Sequence, residues 1–502
     1  MSPSASRARR ARPRTSRRRR AGAALVIAVL GVLVPGTAYL AAGRKRLGAV
    51  ITTLSVLLAG GAAYVVLVRR DDVIQWALDP DVLLGMIVGL AVVALSLVVV
   101  LVTSYKMLRP LQTGVLTRLG GALVIGVVCF SIASGSALGA QNLVAQRSLV
   151  TKVFAGEKSK SGTRPAIDQK DPWANLPRLN LLLLGADDGE GRDGTRTDTV
   201  MVASIDTHTG ETALISMTRN FMRMPFPKDH PLHDEFPTGY WDPSRPGQEQ
   251  PDYYLDAMYR NIPPKYRELL GETDNPGADV LKLSVGEALG LKLHYYVQIN
   301  LAGFEQMVTA LGGITVNINY PVPVGGDDDK NIPPGRWLQP GPNRQLNGFD
   351  ALWFARGRYR VPGADLARQA RQRCTIKAIV ERATPQNVLT HYKEIAAAGE
   401  QLIRTDIPQT LLGDLAGLGA KVKTAKIRNI DLDKKKNFPN GRDPNYAGMR
   451  TIVAKALAGT PSKPSKPAKP AATPRPSSPV TPTTKPSADP ADLADSCAYH
   501  PS

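Results

Sequence analysis

H-Y-Y-V-Q-I-N-L-A-G-F-E-Q-M-V-T-A-L-G-G-I-T-V-N-I-N-Y, His294 to Tyr320, changes its apolar period twice. His294–Asn300 and Ile314–Tyr320 are rich in aromatic and β-branched residues and read as strands. Leu301–Leu311 repeats at helical spacing between them. A strand, a crossover helix and a second strand make a βαβ unit, which implies parallel pairing within one sheet. Upstream, Leu179–Leu184 is a short apolar run ending at Gly185, suited to a buried strand. Asp198–Ile205 and Glu211–Met217 flank Thr207-His208-Thr209-Gly210 and read as a hairpin. Helical patterns recur at 279–290, 347–356, 365–384 and 443–458, and the Leu- and Ala-rich stretch 386–420 reads as helical too. The main domain, 172–459, is thus a layered α/β core. Residues 228–278, rich in Pro, Gly, Asp and Tyr, read as a long loop with one or two short helices, a lid over a site.

The N-terminal part is of another kind. Apolar stretches occupy 21–43, 47–68, 83–104 and 119–141, and the last three approach the roughly 20 residues that span hydrocarbon. Nine arginines in the first 20 residues form a basic tail. The basic loops 44–46 and 106–118 belong in the cytoplasm and the acidic loop 71–82 outside. With 1–20 also cytoplasmic, 21–43 reads as a re-entrant or interfacial element broken at Pro35-Gly36, with a first true span as the alternative. This multi-span helical membrane region, 21–141, leads through a polar linker at 142–171 to an extracytoplasmic domain. The Pro/Ser/Lys-rich tail 460–502 reads as a solvated spacer. The formal charge of +20 flanks apolar segments, so it suits anionic membrane lipid. Nothing resembles a zinc finger, a helix-turn-helix or an RNA-binding signature, so no nucleic acid is expected as a partner. Of three cysteines, Cys129 lies in an apolar segment; Cys374 and Cys497 either pair in a disulfide or stay as thiols.

The chemistry concentrates between Gly185 and Gln372. G-A-D-D-G (Gly185–Gly189), R-T-D-T (Arg196–Thr199), S-M-T-R-N (Ser216–Asn220), A-R-G-R (Ala355–Arg358) and D-L-A-R-Q-A-R-Q (Asp365–Gln372) set carboxylates beside arginines. Guanidinium forks match phosphate oxygens, and hard oxygens such as Asp187 and Asp198 suit a divalent cation. Each motif alone also reads as solvated loop acids, strand-end arginines or a basic helix face, and it is their company that points to a phosphate site. Asp365, Arg368 and Gln372 share one face near a helix N-terminus, with Arg371 beside them, where the backbone favours an anion. Trp353, Phe354 and Phe304 suit helix-core packing or an apolar pocket.

Taken in order, these motifs resemble the LytR-CpsA-Psr family of cell-wall glycopolymer transferases over roughly 175–385. Y-Y-V-x-I-N (Tyr295–Asn300), G-F-E (Gly303–Glu305), L-G-G-I (Leu311–Ile314) and G-x-x-A-L-W-x-A-R-x-R (Gly348–Arg358) extend the likeness. Heavy use of Ala, Arg, Gly and Pro fits an actinobacterial type. The resemblance implies an α/β/α sandwich with a central mixed sheet and an apolar pocket for a lipid chain. It implies phosphoryl transfer of a glycan from a polyprenyl-pyrophosphate carrier to peptidoglycan, with Mg²⁺ or Mn²⁺. On it, Asp187 and Asp198 are metal positions, and Arg196, Arg219, Arg356, Arg358, Arg368, Arg371 and Gln372 bind pyrophosphate. Arg196, Asp198 and Arg219 are then the catalytic residues. Two positions depart from the pattern: Asn220 replaces the usual Asp after Arg219, and Asp256 stands where Asn is commoner. Two rival functions use the same fold: a polyprenyl-pyrophosphate phosphatase with water as acceptor, and a non-catalytic wall-binding or regulatory protein.

Overall fold

The computed structural model describes residues 14–69, 73, 76–109, 114–156, 158–165, 171–187, 195–327, 330–384, 387, 391, 394–395, 403–430, 432, 444–458 and 491–500. The chain divides into two compact units, Met1–Val150 and Thr151–Ser502.

The first unit is helical: Arg14–Leu33, Thr37–Ala41, Lys45–Val68, Pro80–Leu108 and the helix that begins at Val115 and runs to Val153. The break at Pro35-Gly36 falls where the sequence placed it. Gly36 adopts φ 100°, and an added Cβ there would stand 2.4 Å from Thr52 Oγ1, so no larger residue fits. The Asp79 side chain accepts from the amides of Asp81 and Val82, with Pro80 in the first turn, which fixes where the next helix starts. The last three helices are long and apolar enough to cross a membrane, with mean hydropathy 2.1, 2.9 and 2.1. Leu57, Leu95 and Phe130 point outward from them, a surface suited to lipid.

In the second unit a seven-stranded mixed sheet runs β11-β10-β3-β2-β1-β4-β9. Its strands are β1 (Arg178–Asp187), β2 (Arg196–Asp206), β3 (Thr212–Met217), β4 (Tyr295–Asn300), β9 (Ile403–Thr405), β10 (Ile427–Ile430) and β11 (Ala491–Asp492). The β2–β3 hairpin is as expected. Parallel pairs are β1 with β4 and β3 with β10. Alternation along the strands fills two layers. Leu182, Val200, Val202 and Ile215 face the helices Leu255–Asn261, Pro276–Leu289 and Tyr446–Leu457. Leu183, Met201 and Leu214 face the other side with Ile376, from the helix Ala364–Arg382, and Leu493. The result is an α/β/α sandwich.

The sequence reading needs correction at several places. The βαβ unit does not form: β5 (Ile314–Ile318) leaves the main sheet and pairs antiparallel with β8 (Gly341–Leu346). Beside it, β6 (Val322–Val324) pairs with β7 (Arg336–Leu338), and both strand pairs cover a satellite core with Phe354 and Val308. Gly348 starts the helix Gly348–Arg356 against Glu305 O, where an added Cβ would stand 1.9 Å away. The stretch 386–420 contains the edge strand β9 as well as the helix Leu412–Thr424. Residues 228–278 are a packed wall, not a lid, because Leu255, Met258 and Ile262 are fully buried. The linker 142–171 is helical to Val153; Ala155 then bridges Pro408, and Thr163 bonds Asp279. Finally, 491–500 belong to the domain rather than a spacer: β11 pairs with β10, and Cys374 and Cys497 form a disulfide. The rest of the spacer, 460–490, lies outside the described residues, as does the basic tail 1–13.

Candidate active site

The site grows from the end of β1. Asp187, the last residue of that strand, lies directly opposite Arg196, the first of β2. Gly185 faces Thr199 and Ala186 faces Thr197, so Asp198 is the extra residue of a β-bulge. A bulge re-aims a side chain at a sheet edge. Arg219 follows the end of β3, and its guanidinium donates to Asp198 Oδ1 at 2.6 Å. Its backbone carbonyl accepts from the Asp256 amide at 3.1 Å, which ties the helix Leu255–Asn261 to the same spot. Asp256 Oδ2 lies 3.6 Å from Arg196, while Asp256 Oδ1 is buried without a hydrogen-bond partner among the described residues. Arg356, at the end of its helix, lies 3.2 Å from Asp187. Arg358 and Arg368 reach Asp365 at 3.6 and 3.1 Å.

These groups enclose a cavity of about 440 Å³, with Arg196, Arg219, Arg356, Arg358 and Arg368 in its wall beside Asp187, Asp198 and Asp256. Tyr254, Tyr359, Trp353, Asn220 and the hairpin residues Gly325 to Asp327 complete it. A second cavity, about 210 Å³, is mostly apolar and shares Asp198, Arg356 and Arg368 with the first. Leu183, Val297, Ile299, Phe304, Leu352 and Ile376 line it. Of the aromatic candidates, Phe304 thus faces the apolar cavity, Trp353 the polar one, and Phe354 the core.

Charge is unevenly satisfied here. Burial acts to raise the Asp198 carboxyl, but Arg219, with Arg368 and Arg356 behind it, outweighs that and holds it below the usual range. Burial would loosen the Arg219 proton, yet Asp198 reverses the balance and tightens it. Asp256 goes the other way: burial raises its carboxyl more than Arg219 and Arg196 lower it. Burial, then the charges of Arg219 and Arg358, bring Arg368 down to about 10 against the pull of Asp365. Among the described residues the buried Nε atoms of Arg219 and Arg368 have no hydrogen-bond partner, and both side chains line the polar cavity.

Not every residue expected at the site is there. Arg371 donates from Nε to Phe354 O at 2.6 Å, from Nη1 to Tyr320 Oη at 2.7 Å, and from Nη2 to Gly357 O. It braces the turn that carries Arg356 and Arg358, and does not line the cavity. Gln372 borders the apolar cavity and donates to Thr199 Oγ1 at 2.9 Å, away from the polar one. Sequence reasoning assigned no site role to Asp256, Tyr254 or Tyr359. Only the acid at 256 left a signal.

A cation is tested by its donors. Asp187 and Asp198 stand at one end of neighbouring strands and line one cavity, a set of hard oxygens that suits Mg²⁺. Among the described residues no group of three or more His, Cys, Asp or Glu is arranged around a metal position. Mg²⁺ does not require one, since it keeps several waters and shares its sphere with substrate phosphates.

An arginine-lined cavity thus shares three residues with an apolar one, in a chain that also carries three helices long and apolar enough to cross a membrane. The chain belongs to the LytR_cpsA_psr family, which it matches over residues 146–452. It is 26% identical over 288 residues to the polyisoprenyl-teichoic acid–peptidoglycan teichoic acid transferase TagU of Enterococcus faecalis, covering 57% of this chain and 78% of that one. It is 28% identical over 254 residues to the transferase of the same name from Oceanobacillus iheyensis, covering 50% and 66%. A solved LytR-Csp2A-Psr enzyme from Actinomyces oris is similar at 18% identity and TM-score 0.38, covering 59% of this chain and 94% of that one.

Proposed function

We propose that this chain transfers a glycopolymer from a polyprenyl-pyrophosphate carrier to peptidoglycan by phosphoryl transfer, in cell-wall assembly. The observation that carries this reading is the adjacency of the two cavities, which share Asp198, Arg356 and Arg368. A polyprenyl pyrophosphate is an apolar chain joined to an anionic head, and those environments match its two parts. The two transferases named above are relatives of this chain.

In this reading Arg356, Arg358 and Arg368 hold the pyrophosphate, and Arg196 and Arg219 position the phosphorus that bears the glycan. The acceptor hydroxyl attacks that phosphorus, its proton passes to a cavity carboxylate, and polyprenyl phosphate leaves. Guanidiniums already fixed by Asp365 and Asp198 stabilise the charge that builds on the phosphate oxygens, with little reorganisation. Held by Asp187 and Asp198, Mg²⁺ or Mn²⁺ would supply further neutralisation of phosphate charge. The basic loops 44–46 and 106–118 support a reading in which they stay in the cytoplasm and the second unit lies outside the cell, where peptidoglycan is.

The test uses the full chain in detergent micelles with a labelled glycan on polyprenyl pyrophosphate and a peptidoglycan fragment. Release of polyprenyl phosphate with label on the fragment supports the transferase. Release with label left in solution supports the phosphatase instead. No release from folded protein leaves a binding or regulatory role.

A further inference from the structure

One face of the helix Gly348–Arg356 carries Phe349 and Trp353 one turn apart, with ring centroids 6.4 Å from each other. The Arg336 guanidinium, from β7, stands 6.0 Å from the centre of the Phe349 ring and pairs with Asp350. At the other end Arg356 stands 5.7 Å from the centre of the Trp353 ring and 3.2 Å from Asp187. The four side chains make a ladder, cation–ring–ring–cation, that starts on the surface and ends in the reaction cavity. Trp353 lines that cavity and also borders the satellite core, which partly explains it. Phe349 belongs to no core cluster among the described residues and is 44% exposed.

We infer that this ladder is a binding track for the first sugars of the donor glycan. The inference rests on the function proposed above and adds where the sugar lies. In such a donor the order is fixed by covalent bonds: lipid, pyrophosphate, then sugar. Leu352 and Ala355 of the same helix line the apolar cavity, and Arg356 borders both cavities. The sugar attached to the pyrophosphate therefore lies on the polar side of that border, in the cavity whose wall includes the Trp353 ring. A pyranose has a face of C–H groups that packs on the electron-rich face of an aromatic ring. Its rim of hydroxyls needs donors and acceptors, which Arg336, Asp350 and Arg356 provide at the ladder's ends.

The track is tested on the full chain in detergent micelles by equilibrium binding of two probes, polyprenyl pyrophosphate bearing a disaccharide and the same lipid pyrophosphate without sugar. Phe349→Ala is expected to weaken the sugar-bearing probe roughly five- to tenfold while leaving the bare one unchanged, the size expected for losing one apolar ring contact. Phe349→Trp should restore the loss. Equal weakening of both probes would mean that the ring supports the helix or touches lipid, and would overturn the track. So would no change in either, or wild-type protein that binds the two probes equally well; in those cases the function reading stands. Wild-type protein that binds neither probe would overturn that reading and the track with it.

Discussion

Replacing Arg371 separates a residue that builds the site from one that binds at it. Its three donors satisfy Phe354 O, Gly357 O and Tyr320 Oη, and the side chain is 4% exposed. Hydrogen bonds to a charged group contribute about 1.5–3 kcal/mol each, and truncation strands buried carbonyls besides. The bonds share one guanidinium and are not additive, so Arg371→Ala should cost about 3–6 kcal/mol. At roughly 2 °C per kcal/mol for a large domain, thermal unfolding should move down by on the order of 10 °C. Arg371→Lys, with one compact donor group in place of the fork, should fall between. Donor affinity, measured well below the unfolding transition, should change less than about threefold. Arg219→Ala should abolish turnover, and should lower the unfolding temperature by less than Arg371→Ala, since it removes the single ion pair with Asp198. If Arg371→Ala left unfolding unchanged and abolished donor binding, Arg371 would be a pyrophosphate ligand and its assignment here would be wrong.

Asp256→Asn should stabilise the protein at neutral pH. The folded carboxyl titrates above its ordinary 3.8, so ionisation penalises the fold increasingly as pH rises through the raised value, and the penalty is absent below 3.8. Unfolding temperatures of variant and wild type should therefore converge toward pH 4; a gap that persists there would refute the charge argument. Asp198 has the opposite sign. Its pairing contributes above the ordinary 3.8 and is lost as pH falls through the lower folded value, so Asp198→Asn should destabilise at pH 7. The same variant should need more Mg²⁺ for half-maximal turnover; an unchanged titration would remove Asp198 from the cation site. Reducing the Cys374–Cys497 bridge, which spans 123 residues, should cost about 5 kcal/mol on the loop-entropy estimate, read by denaturant unfolding with and without reductant.

Much of this was legible in the sequence, for physical reasons that can be named. The run Leu179–Leu184 is apolar without alternation because β1 is covered on both faces. Ile314–Ile318 alternates buried and exposed positions instead. That period marks a half-exposed antiparallel strand, and giving it more weight than strand–helix–strand order would have avoided the βαβ misreading. The five arginine positions other than Arg371 converge because Arg196 begins β2, Arg219 follows β3, Arg356 and Arg358 close and follow one helix, and Arg368 lies near the start of the next. Arg371 resembles them only by spacing: a rotation of about 60° on the helix from Arg368 turns it toward the Phe354–Gly357 carbonyls. No local pattern announces the bulge at Asp198, since an inserted residue is defined by its partner strand. Nor does one announce β11, whose ten-residue segment meets β10 across a long polar stretch.

The central claim is tested most directly by following both products of one reaction on the full chain. Labelled glycan on polyprenyl pyrophosphate is supplied with a peptidoglycan fragment, with and without Mg²⁺, to wild type, Asp198→Ala and Arg219→Ala. The account predicts that polyprenyl phosphate and labelled fragment appear together, in equal amounts, only with the cation and only in wild type. Polyprenyl phosphate released without labelled fragment, or undiminished transfer by Arg219→Ala, would contradict it.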